Sequence, residues 1–260
     1  MMRIALGIEY VGDNFFGWQV QPQLRTVQGC VELALSKVAD HPVRVFCAGR
    51  TDTGVHALGQ VVHADVQVQR SMDSWLLGTN SCLPRDISIL WVKLVDENFH
   101  ARFSAQARYY RYIIFNRPVR PAILHKKVTW EYRALNVQSM QMASKYLIGT
   151  HDFSSYRAVA CQAKSPIRTI LSLNIERVDE KVIIDIAANG FLHHMVRNIA
   201  GVLIAIGHGK REIKWANTVL QARDRRVGGI TAPADGLYFV KVDYPQQYML
   251  PTQQDMEELS

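Results

Sequence analysis

Two approximate copies of one pattern, a strand followed by an amphipathic helix and then further strands, predict a chain of mixed helices and strands in two related halves. Three observations carry that reading: strand-like runs open each copy, an apolar stripe at helical spacing follows, and further strand-like runs close it. In the first copy, residues 3–10 are the opening strand. Residues 26–39 are the helix, because Val27, Cys30, Val31, Ala34, Leu35 and Val38 recur at steps of three, one, three, one and three, which paints one apolar face. Thr26 stands where an N-cap side chain accepts an amide hydrogen bond. Residues 43–47 and 60–66 are the strands that follow, and the segment between them is a connection held by rigid flanks.

The second copy opens at residues 108–116 and continues in a helix over 136–148 that Gly149 stops. It closes as a hairpin of 170–178 and 182–188 around Asp179 and Glu180. The boundary between the halves is placed near Ser104, giving residues 1–104 and 105–260. A further helix over 191–206 presents Leu192, Met195, Val196, Ile199, Val202, Leu203 and Ile206 as its apolar side, while His194, Arg197, Asn198 and Gly201 share a polar stripe. An arginine on such a rod is costly unless a carboxylate meets it, and Asp52 is the expected partner. Residues 213–222 form another helix, the basic run Arg223-Asp224-Arg225-Arg226 follows, and Gly228, Gly229 and Pro233 keep a loop before a closing strand at 236–243. The tail from Pro245 onward has little periodicity and is expected to be mobile.

With 48% hydrophobic residues in 260, the chain can bury a sizeable core. Lys and Arg number 30 against 23 Asp and Glu, and the formal charge of +7 favours a polyanionic partner, since basic side chains displace counterions from phosphates. Cys30, Cys47, Cys82 and Cys161 are widely spaced with no Cys-x-x-Cys pair, so neither a zinc site nor a disulfide framework is indicated and a reduced, cytoplasmic compartment is expected. Glu9 and Asp13 precede any long apolar run, and the apolar stretch at 202–206 is far too short to span a bilayer, so no membrane partner is expected. No Walker or Gly-x-Gly-x-x-Gly loop is present, and His56, His193 and His194 lack ligand spacing. No metal, nucleotide or other cofactor is therefore expected.

The most informative segment is Gly49-Arg50-Thr51-Asp52-Thr53-Gly54-Val55-His56-Ala57, which hangs one carboxylate between two glycines with a cation two places before it. An aspartate in such a loop can simply organise its own turn. The whole string, however, resembles the central signature of the tRNA pseudouridine synthase A family, in which the aspartate is the essential catalytic residue. Four further blocks resemble that family in the same order: residues 10–21 around Gly12 and Gly17-Trp18, 107–113 around Tyr110, 191–198 around Arg197, and 232–238 around Leu237.

The resemblance implies an α+β protein of two ferredoxin-like halves that share a central antiparallel sheet, the pseudouridine synthase fold. It implies an isomerase, acting without cofactor as a homodimer on tRNA, that turns uridine into pseudouridine at positions 38, 39 and 40 of the anticodon stem-loop. The reaction breaks the N1–C1′ bond, turns the uracil and remakes the link through C5, so one ionised carboxylate is a sufficient central reagent. Asp52 would either attack C1′ or remove the C2′ proton, and the residues leave both routes open. A shielded carboxylate keeps its charge beside a cation, which Arg197 would supply. The target base must be flipped out of its stack to be reached. Tyr110 would stack on it, Arg50 would fill the vacated space or grip the adjacent phosphate, and Leu237 would wall the pocket. Arg25, Arg102, Arg108, Arg111, Arg168, Arg225 and Arg226 are candidate phosphate contacts that would position RNA without reading bases. Two other readings fit the same residues, a non-catalytic tRNA-binding or folding module and an aspartate-dependent nucleosidase. Little in the latter calls for a charge of +7.

Overall fold

The computed structural model describes residues 1–251. The chain divides into two compact units, one of Met1–Arg108 together with Phe239 onward and one of Tyr109–Tyr238. The sequence had set the boundary near Ser104 and kept the last strand with the second half.

The first unit contains β1 (Met2–Tyr10), α1 (Val27–Ala39), β2 (Val45–Cys47), β3 (His56–Val66), α2 (Met72–Cys82) and β4 (Ile87–Val95). β1 pairs antiparallel with both β3 and β4, and β2 adds to β3. In register, Ile4 lies opposite Ala64 and Leu6 opposite Val62, and all four are fully buried. α1 and α2 pack together, and each begins on the cap its sequence offers: Thr26 accepts from the Gly29 amide and Ser71 from that of Ser74. On β1, Gly7 leaves room for Trp91 of β4, whose indole nitrogen would sit 2.1 Å from any added Cβ. α2 and β4 went unread in the sequence. α2 buries only Trp75 and Thr79 and is otherwise rich in Ser, Gly, Thr and Asn, so its apolar stripe is faint; β4, Ile-Ser-Ile-Leu-Trp-Val-Lys-Leu-Val, was legible as a strand.

The second unit begins within β5 (Ala107–Asn116) and continues through β6 (Thr129–Glu131), α3 (Val137–Ser144), β7 (Gly149–Asp152), β8 (Ile167–Val178), β9 (Lys181–Ala188), α4 (Met195–Gly207) and α5 (Trp215–Ala222). Its strands run β5-β9-β8-β7, with β6 parallel to β5. β8 and β9 form the expected hairpin, turning at Asp179 with φ 51°. The helix expected over 136–148 is α-helical only as α3 and tightens to a 3-10 turn at Lys145–Leu147 before Gly149, whose φ is 104°. The helix expected from 191 starts four residues later. His194 takes a left-handed φ of 62° and Met195 donates to the Leu192 carbonyl at 3.0 Å, so 192–194 is a turn that anchors α4 through buried Leu192.

β10 (Leu237–Asp243) leaves the second unit and joins the first as the neighbour of β3. The strand order there is β4-β1-β3-β10, so the fold is α+β with a mostly antiparallel sheet. The expected mobile tail is in part packed. Within it, the Tyr248 ring meets Phe99 at 5.0 Å; just before it, Tyr244 donates to the Ala101 carbonyl at 2.7 Å and meets the Phe99 ring at 5.1 Å. Residues 252–260 lie outside the described residues. Among the described residues, no helix is long and apolar enough to cross a membrane.

One buried base makes the first unit pH-sensitive. His63 on β3 accepts the Ala101 amide at Nδ1, 3.1 Å away, and burial, then His100 and Arg3, push it down to about 4 from 6.5. The unfolded chain therefore takes up a proton that the folded chain refuses until about pH 4, so stability is full above pH 6.5 and falls as pH drops through that window. The His63 contribution should be about 2–3 kcal/mol at most. Urea unfolding at pH 7 and at pH 5 should show a smaller drop for His63→Gln than for the parent protein.

Candidate active site

The Asp52 loop is held by the N-terminal block read from the sequence. Trp18 donates its amide to the Thr51 carbonyl at 3.0 Å, and the Tyr10 hydroxyl meets Thr51 Oγ1 at 2.8 Å in a buried contact. Burial of Tyr10 pushes its phenol up, so it stays a neutral hydrogen-bonding partner. On the loop's other side Gln60 donates to the Gly49 carbonyl at 2.6 Å, and the Val55 amide closes back on the Asp52 carbonyl at 3.2 Å. Two glycines make the approach possible. A Cβ on Gly12 would lie 2.1 Å from the Val55 carbonyl oxygen, and one on Gly17, where φ is 81°, would lie 2.8 Å from that of Thr51. His56, buried at the start of β3, accepts the Gly12 amide at Nδ1, 3.1 Å away, and turns Nε2 toward Asp13 at 3.7 Å. Within this frame Asp52 is half-buried and Arg50 is exposed. The sequence singled out both blocks but carried no sign that one is the bed of the other.

In the second unit, Tyr110 on β5 is buried, its ring edge-on to Phe191 at 5.0 Å. Two residues on, Tyr112 donates its hydroxyl to the Pro233 carbonyl at 2.9 Å and meets Thr129 Oγ1 at 2.6 Å, tying the 229–236 loop to β5 and β6. The polar stripe of α4 grips the same loop. Arg197 Nε donates to the Ala232 carbonyl at 2.8 Å, and the Ala232 amide returns a bond to the Arg197 carbonyl at 3.1 Å. Asn198 accepts from Arg225 at 3.0 Å and from Thr231 at 2.7 Å, while its own amide donates to the Tyr156 carbonyl at 2.8 Å. Gly201 lets the loop close in, since a Cβ there would stand 2.0 Å from the Ile230 carbonyl oxygen. Leu237 ends the loop, 5% exposed, with its amide on the Ala234 carbonyl at 2.8 Å. His193 and His194 lie ring to ring, 4.0 Å apart, just before α4.

Several cations expected to face phosphate are spoken for within the protein. Arg25 pairs with Asp86 at 2.8 Å, Arg111 with Asp185 at 2.7 Å and Arg226 with Asp224 at 2.7 Å. Arg108 spans the Ala48 and Ala105 carbonyls, Arg168 those of Ser165 and Ile167, and Arg225 the Gly229 carbonyl and Asn198. Arg102 is exposed over the Phe103 ring.

A family model described as tRNA pseudouridine synthase matches residues 7–104 and 143–245 of this chain, more than half of it. The chain belongs to the tRNA pseudouridine synthase family. Its activity is pseudouridine formation in tRNA, an isomerisation. A tRNA pseudouridine synthase A of Coxiella burnetii (strain Dugway 5J108-111) is 58% identical over 251 residues, covering 96% of each chain. That of Nitrosococcus oceani is 58% identical with 96% of each chain covered, and that of Pseudomonas aeruginosa 55% identical with 96% of this chain and 88% of its own covered. The archaeal box H/ACA sRNP Nop10-Cbf5 complex aligns over 77% of this chain and 43% of that one at 8% identity, with a TM-score of 0.34 that is too low to carry an argument.

The synthase's dependence on the glycine contacts is open to a direct check. Gly12→Ala forces backbone to move beside Asp52 and should lower tRNA pseudouridylation on the order of 100-fold while costing about 1–3 kcal/mol in urea unfolding. Turnover unchanged in a folded Gly12→Ala protein would show that the loop tolerates displacement.

Proposed function

We propose that this synthase acts on uridines at positions 38, 39 and 40 of the tRNA anticodon stem-loop, in the cytoplasm and as a homodimer, with Asp52 as its central reagent. The observation that supports this most is the Asp52 loop itself, an ionisable side chain on a backbone fixed from two sides by Thr51 and Gly49 contacts. A reagent so held reaches a substrate atom without first losing conformational freedom. The flipped uridine enters with its C1′ toward the carboxylate. Asp52 then either bonds C1′ as N1 leaves with the glycosidic electron pair, or takes the C2′ proton as that bond breaks. The freed uracil turns, and C5 bonds C1′ as the Asp52–C1′ bond breaks in the first route or as C2′ takes its proton back from Asp52 in the second; the C5 proton then passes to solvent while N1 takes one up. Both routes balance without an oxidant or a metal.

Tyr110 serves this reaction as a stacking face, its ring already steadied by Phe191. Arg197 supplies positive charge, with one edge of its guanidinium fixed by Ala232. Leu237 walls the uracil, and Arg50, exposed two residues from Asp52, takes the place of the flipped base or the phosphate beside it. Recognition rests on RNA shape and backbone, because the three target sites differ in sequence.

Tritium release from uracil-C5-labelled anticodon stem-loop RNA tests the reading. Asp52→Asn should abolish release while leaving tRNA affinity within about threefold of the parent, as expected for a group needed only in the reaction. Release that survives the substitution would remove Asp52 from the chemistry, and an intact protein that binds tRNA without release would mark a binding module. Tyr110→Phe should keep most of the affinity and Tyr110→Ala should raise Kd about 5- to 100-fold, the range for losing one base–aromatic stack.

A further inference from the structure

Beside the Asp52 cradle, the first unit carries an aromatic and cationic surface that the proposed reaction leaves unused. Phe46 on β2 is 43% exposed and Phe103, in the connection after β4, is 75% exposed. His100 joins them, its ring 5.8 Å from Phe46 and 4.4 Å from Phe103. Buried His63 supports the row from below, stacked on Phe46 at 5.1 Å with 19° between the planes. Arg44 lies 5.8 Å from the Phe46 ring centre and Arg102 lies 5.5 Å from that of Phe103.

Charge separates this surface from the other exposed aromatic pair. In the second unit Trp130 and Tyr132 are 42% and 55% exposed beside Arg117 and Arg133, but Arg117 is paired with Glu180 and Arg133 with Glu131. Arg44 and Arg102 make no ion pair among the described residues. The surface also runs into the catalytic loop. Burial pushes the thiol of Cys47, the last residue of β2, up to about 12, and the positive charges of Arg50 and Arg102 both pull against it. An apolar partner would cover these rings only by stranding two unpaired guanidiniums away from water. A nucleic acid strand answers both needs, since each nucleotide brings a flat face and an anionic phosphate.

We infer that Phe46, His100 and Phe103 form a stacking platform for an unpaired nucleotide of the bound tRNA, with Arg44 and Arg102 holding the phosphates on either side. This rests on the tRNA reading above and extends it to a contact outside the reacting uridine. The platform adds affinity and register on the substrate and takes no part in bond making.

Equilibrium binding of a full tRNA transcript, measured across a salt series alongside tritium release and sedimentation, tests the inference. Phe103→Ala removes a mostly exposed ring, and it should raise Kd about 5- to 100-fold while Phe103→Tyr restores the parent value. Arg44→Gln and Arg102→Gln should each reduce the slope of log K against log salt by about one. A Phe103→Ala protein that binds tRNA like an active parent would overturn the platform alone. Loss of affinity that appears only as the Phe103→Ala oligomer dissociates would overturn it in favour of an interface between copies of this chain. A parent protein that neither binds tRNA nor releases tritium would overturn the tRNA reading and the platform with it.

Discussion

Two backbones touch beneath the Asp52 carboxylate, and much of the first unit is arranged so that they can. The segment that follows β1 lies directly on the Asp52 loop, and it does so because Gly12 and Gly17 offer no Cβ to the Val55 and Thr51 carbonyls. Trp18 and Tyr10 then have reach to hydrogen-bond Thr51, and His56 has reach to accept the Gly12 amide. The buried rings of Phe15 and Trp18 anchor the segment in the core, so the energy that fixes Asp52 comes from apolar burial several residues away. A loop held this way is stiff without being short.

The second unit solves a similar problem with polar contacts. A helix as apolar as α4 would ordinarily reject Arg197 and Asn198, yet both spend hydrogen-bonding capacity on the 229–236 loop, which has no regular structure to satisfy its own backbone. Tyr112 closes that loop from the opposite side, and its burial pushes the phenol up so that it remains a donor. A motif residue and its neighbours thus share the task of holding Leu237 and its loop.

How much of this could be read in the residues depends on how local the cause is. α1 was legible to its cap because Thr26 and the stripe from Val27 to Leu35 are consecutive facts of one helix. The β8–β9 hairpin was legible for the same reason. The start of α4 was not, since the left-handed turn at His194, next to buried Leu192, leaves no mark in periodicity. α2 hid behind a polar composition, and β10 gave no hint that it belongs with strands made some 170 residues earlier. At the site, the resemblance drew attention to Asp52, Tyr110, Arg50, Arg197 and Leu237. Pattern could not disclose that Tyr10, Gly12 and Trp18 are the bed under Asp52, because that contact joins positions some 40 residues apart. The basic residues were least legible of all. Formal charge counts an arginine whether it faces RNA or, like Arg25 and Arg111, is neutralised by a nearby aspartate.

The return of β10 to the first unit has a consequence for how the protein is made. On a ribosome, residues 109–238 emerge as one uninterrupted stretch and can complete their own strand order before synthesis ends. The unit that holds Asp52 cannot. Its sheet keeps an unfilled edge beside β3 until residues 237–243 clear the exit tunnel, although the carboxylate was translated long before. The unit that starts first is therefore the one that finishes last, and a chain cut short before Leu237 would leave β3 with a raw strand edge exposed to its neighbours.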